Sequence, residues 1–396
     1  MALAGFSIVV AGCASSARSE EVEIPSEKSH EIMNRIYSSM SVLLPLAVQN
    51  NGDALAREHD AAKMELENLR SGATHVLQHA EDPFDQFLAR SLVDDFRRAR
   101  RAFIENNYES AAFFIRESVD DCVSCHMEIV RPHEAPLAKG FAKRRPFQRL
   151  DTRERMRLAL ATYQIEDALS IAEAALDDAS TPTHELDDIA LDYLLAGVRV
   201  ARSPRRVAEA IDRLVRRDGL NNGFRSDLQQ WSEALDEVVR HSPLETLSSA
   251  RRQLALAERV GPGRAGMRAR VHAIIASRIL SDWLASHGPS DERSAEACFE
   301  MGRAEQAIGR DYWPPKSDFF FECAIERAPG TELARRAYSA LRDDVVQGYS
   351  GSSGTHIPID DLRRLERLAS IANSAVPATR ESVSPAKRPP EASGPR

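Results

Sequence analysis

The sequence has few aromatic residues, few cysteines and no long apolar run, and each shortage narrows the class of protein. Aromatic residues make up 6% of the 396 residues, whereas the good helix formers Ala, Leu, Arg and Glu are abundant. No stretch reaches the roughly 18 apolar residues that a membrane span needs in the mature chain. The net charge of -8 gives no basic footprint for nucleic acid. We therefore expect an all-α protein, long enough for two or three domains, that binds no nucleic acid.

The N-terminal residues, 1–27, are typical of a bacterial lipoprotein signal followed by a linker. Val10-Ala11-Gly12-Cys13 follows a short apolar run and resembles a lipobox, in which the Cys is diacylated and becomes the first residue of the mature chain. An ordinary cleaved signal and a disordered cytoplasmic N-terminus remain alternatives, because no Lys or Arg precedes Arg18. Ala14, rather than Asp, follows Cys13, so we expect a lipid anchor in the outer membrane, facing the periplasm.

Residues 28–132 have the pattern of four amphipathic helices joined by short connections. Apolar residues recur at intervals of three and four in each segment, and polar or Gly-containing breakers separate the segments. The predicted helices cover residues 26–49, 53–79 and 82–107, and a fourth begins at 108 and ends before Pro132. Antiparallel helices with one apolar face each form a bundle that can bind a cofactor between facing helices.

Cys122-Val123-Ser124-Cys125-His126, near the end of the fourth predicted helix, is the attachment sequence of c-type haem. Positions i, i+3 and i+4 of a helix share a face, so both thiols can reach the vinyl groups on one porphyrin edge while the imidazole meets the iron. A zinc site would need a second nearby pair of ligands, and a thioredoxin-like pair would need a βαβ context. A plain disulfide would be strained in this helical spacing. We therefore expect one covalent haem c with His126 as an axial iron ligand.

The helix lengths and the position of the haem motif resemble the class II cytochromes c, the cytochrome c-prime family, over residues 28–132. In that family the distal residue follows an Arg-Gln-x-x pattern on the first helix: Met there gives a six-coordinate haem, whereas Leu, Phe or Tyr leaves a site open to small gases. The corresponding segment is Ser29-His30-Glu31-Ile32-Met33, so the resemblance implies Met33 as the second iron ligand. Met40, His30 and an open distal site are alternatives, and both methionines could instead be core residues.

Residues 150–374 follow a Pro-rich, basic linker at 133–149 and have the pattern of a second helical domain. Breakers such as Thr181-Pro182 and Ser203-Pro204 divide it into helix-length pieces. The segment Ser317-x₃-Phe321-x₂-Ala324-Ile325-x₃-Pro329, preceded by Met301-Gly302, resembles a tetratricopeptide-like hairpin. The resemblance implies an α-solenoid with a concave surface for a partner, and an irregular helical domain is the alternative.

Two further cysteines, Cys298 and Cys323, fall on the two helices of this predicted hairpin. We expect two separate buried thiols rather than a disulfide, although an oxidising periplasm would permit the pair. Residues 375–396 are rich in Pro, Ser and Ala, and we expect them to be disordered.

Together these features predict a membrane-anchored periplasmic cytochrome that transfers electrons to a redox partner protein. A His/Met haem has both axial positions filled and a raised potential, which suits electron transfer. The four-helix region supplies no obvious acid, base or nucleophile, so we expect no enzymatic activity. The alternatives are a haem-based protein that binds or senses NO or CO, with a helical interaction domain, and a scaffold in which the haem is mainly structural.

Overall fold

The computed structural model describes residues 27–49, 52–80, 82–128, 147, 150–258, 266–288, 291–309, 316–352 and 354–375. These residues form sixteen α-helices and one two-stranded hairpin, which confirms the predicted all-α class. Within the same ranges, no helix combines the length and the apolar character that crossing a membrane requires. The predicted lipobox with Cys13, nearly all of the linker and all but the first residue of the predicted tail lie outside the described residues.

The first five helices follow the sequence prediction closely. The long helix α4 begins where Asp82-Pro83 predicts, because the Asp82 side chain accepts a hydrogen bond from the backbone N–H of Phe84 and Pro83 occupies the first turn. The predicted second helix is divided in two, since the backbone at Glu58 leaves the helical region with a ψ of 38°. The helices are α1 Glu27–Val48, α2 Asp53–Arg57, α3 His59–His79, α4 Pro83–Ile104 and α5 Tyr108–Glu128.

The four long helices of this region pack in a ring. Helix α1 contacts α3 and α5, and α4 contacts the same two helices. The apolar face of each helix points into the ring, where Leu43, Leu66, Phe96 and Ile115 are fully buried. Short connections make successive helices antiparallel. The ring therefore has two ends, and the C-terminus of α5 lies at the same end as the N-terminus of α1.

Eleven further α-helices are described after residue 150, and the predicted breakers that lie within the described ranges fall at or between their ends. A π-helical segment, Ala196–Val200, follows α8, and the strands β1 Ser350–Gly351 and β2 Gly354–Thr355 form an antiparallel hairpin before α16. The helices are α6 Thr152–Ala161, α7 Ile165–Asp177, α8 Thr183–Leu195, α9 Pro204–Val215, α10 Asn222–His241, α11 Leu247–Glu258, α12 Gly266–His287, α13 Ser294–Ile308, α14 Lys316–Arg327, α15 Glu332–Gly348 and α16 Ile359–Ala372.

Helices α13 and α14 pack against each other as a helical hairpin. Gly302 lies against the ring of Phe321, where a Cβ would come within 2.6 Å of the ring atoms. Cys298 and Cys323 face each other across the same hairpin, with their Cα atoms 6.0 Å apart, and they form a disulfide. The expectation of two separate thiols is therefore wrong, because the two cysteines lie opposite each other on adjacent helices.

The apolar core continues from the ring into the second region. Leu158 and Ala161 of α6 are buried with the residues of the ring, together with Phe147 and Leu150. Helix α6 thus packs on the ring as well as on α7 and α8. This packing brings the second region against the end of the ring at which α5 terminates.

Candidate cofactor-binding site

Cys122, Cys125 and His126 lie together near the C-terminus of α5. The helix continues to Glu128, so the spacing of three and one places the three side chains on one face, as predicted. Both cysteines are half-buried thiols, and no disulfide joins them. His126 is buried, with 9% of its surface exposed. The motif therefore presents two thiols and an imidazole in one place.

The imidazole of His126 forms a hydrogen bond to a residue that lies outside the four-helix ring. Its Nδ1 donates a hydrogen bond to the backbone carbonyl oxygen of Ala161, at 2.7 Å. Ala161 is the last residue of α6, where carbonyl groups lack partners within the helix. Because a carbonyl oxygen can only accept, Nδ1 carries the proton, and Nε2 has the lone pair with which an imidazole binds a metal.

Tyr163 packs on the flat face of the same imidazole. The two rings are stacked, with their centroids 4.4 Å apart and their planes 26° from parallel. Burial lowers the pKa of His126 to about 4, although the hydrogen bond to Ala161 acts in the opposite direction. The imidazole is therefore neutral at pH 7, which is the form that ligates metals.

Met33 lies on α1, half-buried, and packs against the core of the ring. The register between α1 and α5 follows from a neighbouring pair, because the Ser118 hydroxyl lies 3.9 Å from the Met40 sulfur. The helices are antiparallel, so seven residues back from Met40 corresponds to seven residues forward from Ser118. Met33 is therefore level with Cys125.

The other candidate distal residues are placed less favourably or are not described. Met40 lies beside Ser118, eight residues before His126, which corresponds to about 12 Å along α5 at the rise of an α-helix. The side chain of His30 falls outside the described residues. Of the two candidates whose side chains are described, Met33 and Met40, the register brings Met33 to the level of the motif.

Two buried carboxylates directly precede the motif. Asp120 forms an ion pair with Arg157 of α6, with a nitrogen–oxygen distance of 2.7 Å, and burial raises the pKa of Asp120 to about 7. Burial, and the negative charge of Asp95 on α4, raise the pKa of Asp121 to about 8. Neither buried carboxylate was expected from the sequence, although the adjacent Asp-Asp pair beside the apolar face of α5 could have indicated them.

Side chains alone form no metal centre in the part of the chain that the structure describes. Across these ranges, the Cys122–His126 motif included, no group of three or more His, Cys, Asp and Glu side chains is arranged to hold a metal ion. A cavity of about 490 Å³ opens between α3 and α4 beside Met64, Arg100 and Ile104, at the other end of the ring from the motif.

A porphyrin brings four nitrogen ligands of its own, so a haem iron needs only one or two side chains such as His126 and Met33.

Comparisons with protein-family models, with curated proteins and with solved structures find no match for this chain. The interpretation of the site therefore depends on its own residues and geometry.

Proposed function

We propose that this protein is a periplasmic c-type cytochrome that carries electrons to a protein partner. The observation that supports this most strongly is the state of His126: it is neutral, its Nδ1 is bound to the carbonyl of Ala161, and it lies on one face with Cys122 and Cys125. Metal-bound histidines in proteins commonly have such a carbonyl or carboxylate partner on the second nitrogen. A bound haem would supply the one-electron carrier.

Each residue of the site has a defined part in this proposal. The thiols of Cys122 and Cys125 would form the two thioether bonds that hold the haem, and burial raises the pKa of Cys122, so this thiol stays protonated until it reacts. His126 would bind the iron through Nε2. Met33, level with Cys125, would be the second iron ligand. A thioether is a soft donor that ligates iron without releasing a proton, so the coordination it completes does not change over the physiological pH range.

We extend the proposal to the architecture of the two regions. The ring of α1, α3, α4 and α5, with the motif near the end of its last helix, supports a four-helix haem bundle of the class II cytochrome c type. The contact of Gly302 with Phe321 supports a tetratricopeptide-like hairpin in the second region. Such a region would present a surface to the redox partner.

The location of the protein is part of the proposal. The disulfide between Cys298 and Cys323 supports an oxidising compartment, because such bonds are rare in proteins of a reducing cytosol. Acylation of Cys13 would then attach the chain to the membrane from the periplasmic side, with the outer membrane as the expected site.

An optical spectrum of the purified protein tests the proposal. The full chain is expressed with c-type maturation machinery, and spectra are recorded for the oxidised and reduced protein, with and without CO. We expect the spectrum of a low-spin c-type haem that CO does not change. A high-spin haem that binds CO freely would favour the gas-binding alternative, and a purified chain without haem absorption would contradict the proposal.

A further inference from the structure

We infer that the turn between α6 and α7 is the positioning element for His126: the Ala161 carbonyl aligns its Nδ1 and the Tyr163 ring fixes the plane of the imidazole. This inference rests on the proposed function, because it assigns the iron ligand's orientation to the second region of the chain. Residues Ala161 and Tyr163 lie outside the segment that resembles a class II cytochrome c.

The backbone of this turn is unusual and well fixed. Tyr163 has a φ of 57°, in the left-handed region that a bulky residue rarely adopts, and such strain persists only where surrounding contacts impose it. The backbone N–H of Gln164 bonds to the carbonyl of Ala159 at 2.8 Å, and the Gln164 side chain bonds to the Thr162 hydroxyl at 2.6 Å. The Thr162 hydroxyl in turn bonds to the carbonyl of Leu158 at 2.9 Å. These hydrogen bonds hold the chain on both sides of Tyr163, whose ring lies stacked on His126.

The turn is also fixed relative to α5. Arg157, one turn before the end of α6, forms its ion pair with Asp120, two residues before Cys122. Leu158 and Ala161 are buried in the core of the ring. The carbonyl that binds His126 therefore belongs to a helix that is attached to α5 by charge pairing and by apolar packing. The hydrogen bond of 2.7 Å from His126 Nδ1 thus has its acceptor at the end of a packed helix and not in a loop.

A second set of contacts brings the remote part of the chain to the same end of the ring. Phe84, at the start of α4, lies against Phe319 and Phe320 of α14 with centroids 4.9 Å apart in both pairs. Val123, inside the haem motif, packs against both the core of the ring and the core of the second region. The end of the ring that carries the motif is therefore covered by the second region.

Such positioning has a measurable consequence for the iron. An acceptor on Nδ1 makes the imidazole a more basic ligand and fixes its orientation. A more basic ligand favours ferric over ferrous iron and so lowers the reduction potential. Without the Tyr163 ring, the imidazole can turn away from the line to the Ala161 carbonyl. The hydrogen bond then weakens and the reduction potential rises.

The test compares variants that lack the ring with one that keeps it. Tyr163→Asn removes the aromatic ring, and Asn tolerates the left-handed conformation of this position. If this variant does not fold, Tyr163→Gly takes its place, because Gly lacks the ring and adopts the same conformation without strain. Tyr163→Phe is the matched control. The first readout is the midpoint potential of the full-length, haem-loaded protein. The second is ¹⁵N NMR of the His126 ring in the full-length chain expressed without haem.

We expect the variants without the Tyr163 ring to lose selectivity for ferric over ferrous iron by about tenfold, which is the lower limit for loss of a hydrogen-bond partner of a metal ligand. A tenfold change corresponds to a rise of about 59 mV in the midpoint potential of a one-electron couple. Tyr163→Phe should keep the wild-type potential. In the haem-free chain, the wild type and Tyr163→Phe should have the proton on Nδ1, and the ring-deleting variants should show a mixture of the two tautomers.

Two outcomes separate this inference from the proposed function. If a folded ring-deleting variant keeps the wild-type potential and the wild-type tautomer, the turn does not position His126 and the inference is wrong. If the wild-type protein contains no haem, the proposed function fails, and the NMR comparison alone then decides whether the turn orients the imidazole.

Discussion

Replacement of Arg157 by Met removes the cation that faces the buried carboxylate of Asp120. Arg157 lies 2.7 Å from Asp120 and 3.2 Å from Asp192. Asp192 keeps a second partner, Arg153, at 3.0 Å, so Asp120 is the carboxylate that loses its direct ion pair. Asp120 is 3% exposed. The variant therefore leaves an uncompensated buried charge wherever Asp120 is ionised.

The loss in free energy of unfolding caused by Arg157→Met should depend on pH, because burial raises the pKa of Asp120 to about 7 even beside Arg157. The unfolded chain ionises Asp at about pH 4, so the folded wild type retains a proton between about pH 4 and 7 and loses stability as the pH rises through that range. Above pH 7 the wild-type carboxylate ionises beside Arg157, whereas the variant must still retain the proton. The variant then loses about 1.4 kcal/mol relative to wild type for each further pH unit, or about 3 kcal/mol at pH 9.

Urea unfolding of the full chain, followed by far-ultraviolet circular dichroism at pH 5, 7 and 9, measures this difference in the free energy of unfolding. Arg153→Met is the matched control, because Arg153 lies on the same helix but contacts Asp188 and Asp192 at more exposed positions. Its effect should stay below about 1 kcal/mol and vary less with pH, because Arg153 lowers the pKa of Asp120 less than Arg157 does. A cost of Arg157→Met that is equal at pH 5 and pH 9 would refute the reasoning.

Three other predictions follow from the site and its setting. Met33→Leu should convert a low-spin haem into a high-spin form that binds CO, with the thioether bonds intact, whereas Met40→Leu should not; equal absorption spectra of the two variants would contradict the assignment of Met33. The double variant Cys298→Ser and Cys323→Ser should lower the free energy of unfolding under oxidising conditions by about 3 kcal/mol, as measured in urea, and an unchanged value would mean that the disulfide contributes nothing. Cys13→Ser should move the protein from the membrane fraction to the soluble periplasm, and recovery of the wild type only as a soluble protein would remove the lipobox interpretation.

The helices could be predicted from the sequence because the features that define them are local. The apolar spacing marks the face of each helix, and Asp82-Pro83 marks the start of α4 through its own hydrogen bond. The turn between α6 and α7 was missed because neither Gly nor Pro marks residues 162–164. A bulky residue rarely adopts the left-handed conformation of Tyr163, so no local preference predicts it.

The site could be predicted in part for the same reason. The face shared by Cys122, Cys125 and His126 follows from helical spacing alone. The hydrogen-bond partner of His126 could not be predicted, because it is a backbone carbonyl 35 residues further along the chain. Every residue has a backbone carbonyl, so no residue type marks the one that binds. The disulfide between Cys298 and Cys323 could not be predicted from the sequence either, since spacing alone does not determine which thiols meet.

Covalent haem attachment is the central claim, and denaturation tests it most directly. The wild-type chain and the variant Cys122→Ala with Cys125→Ala are expressed with c-type maturation machinery, denatured, and separated on a gel that is stained for haem peroxidase activity. The account predicts that the wild-type polypeptide retains the stain after denaturation and that the variant does not. A wild-type band without stain, from protein recovered intact, would contradict it.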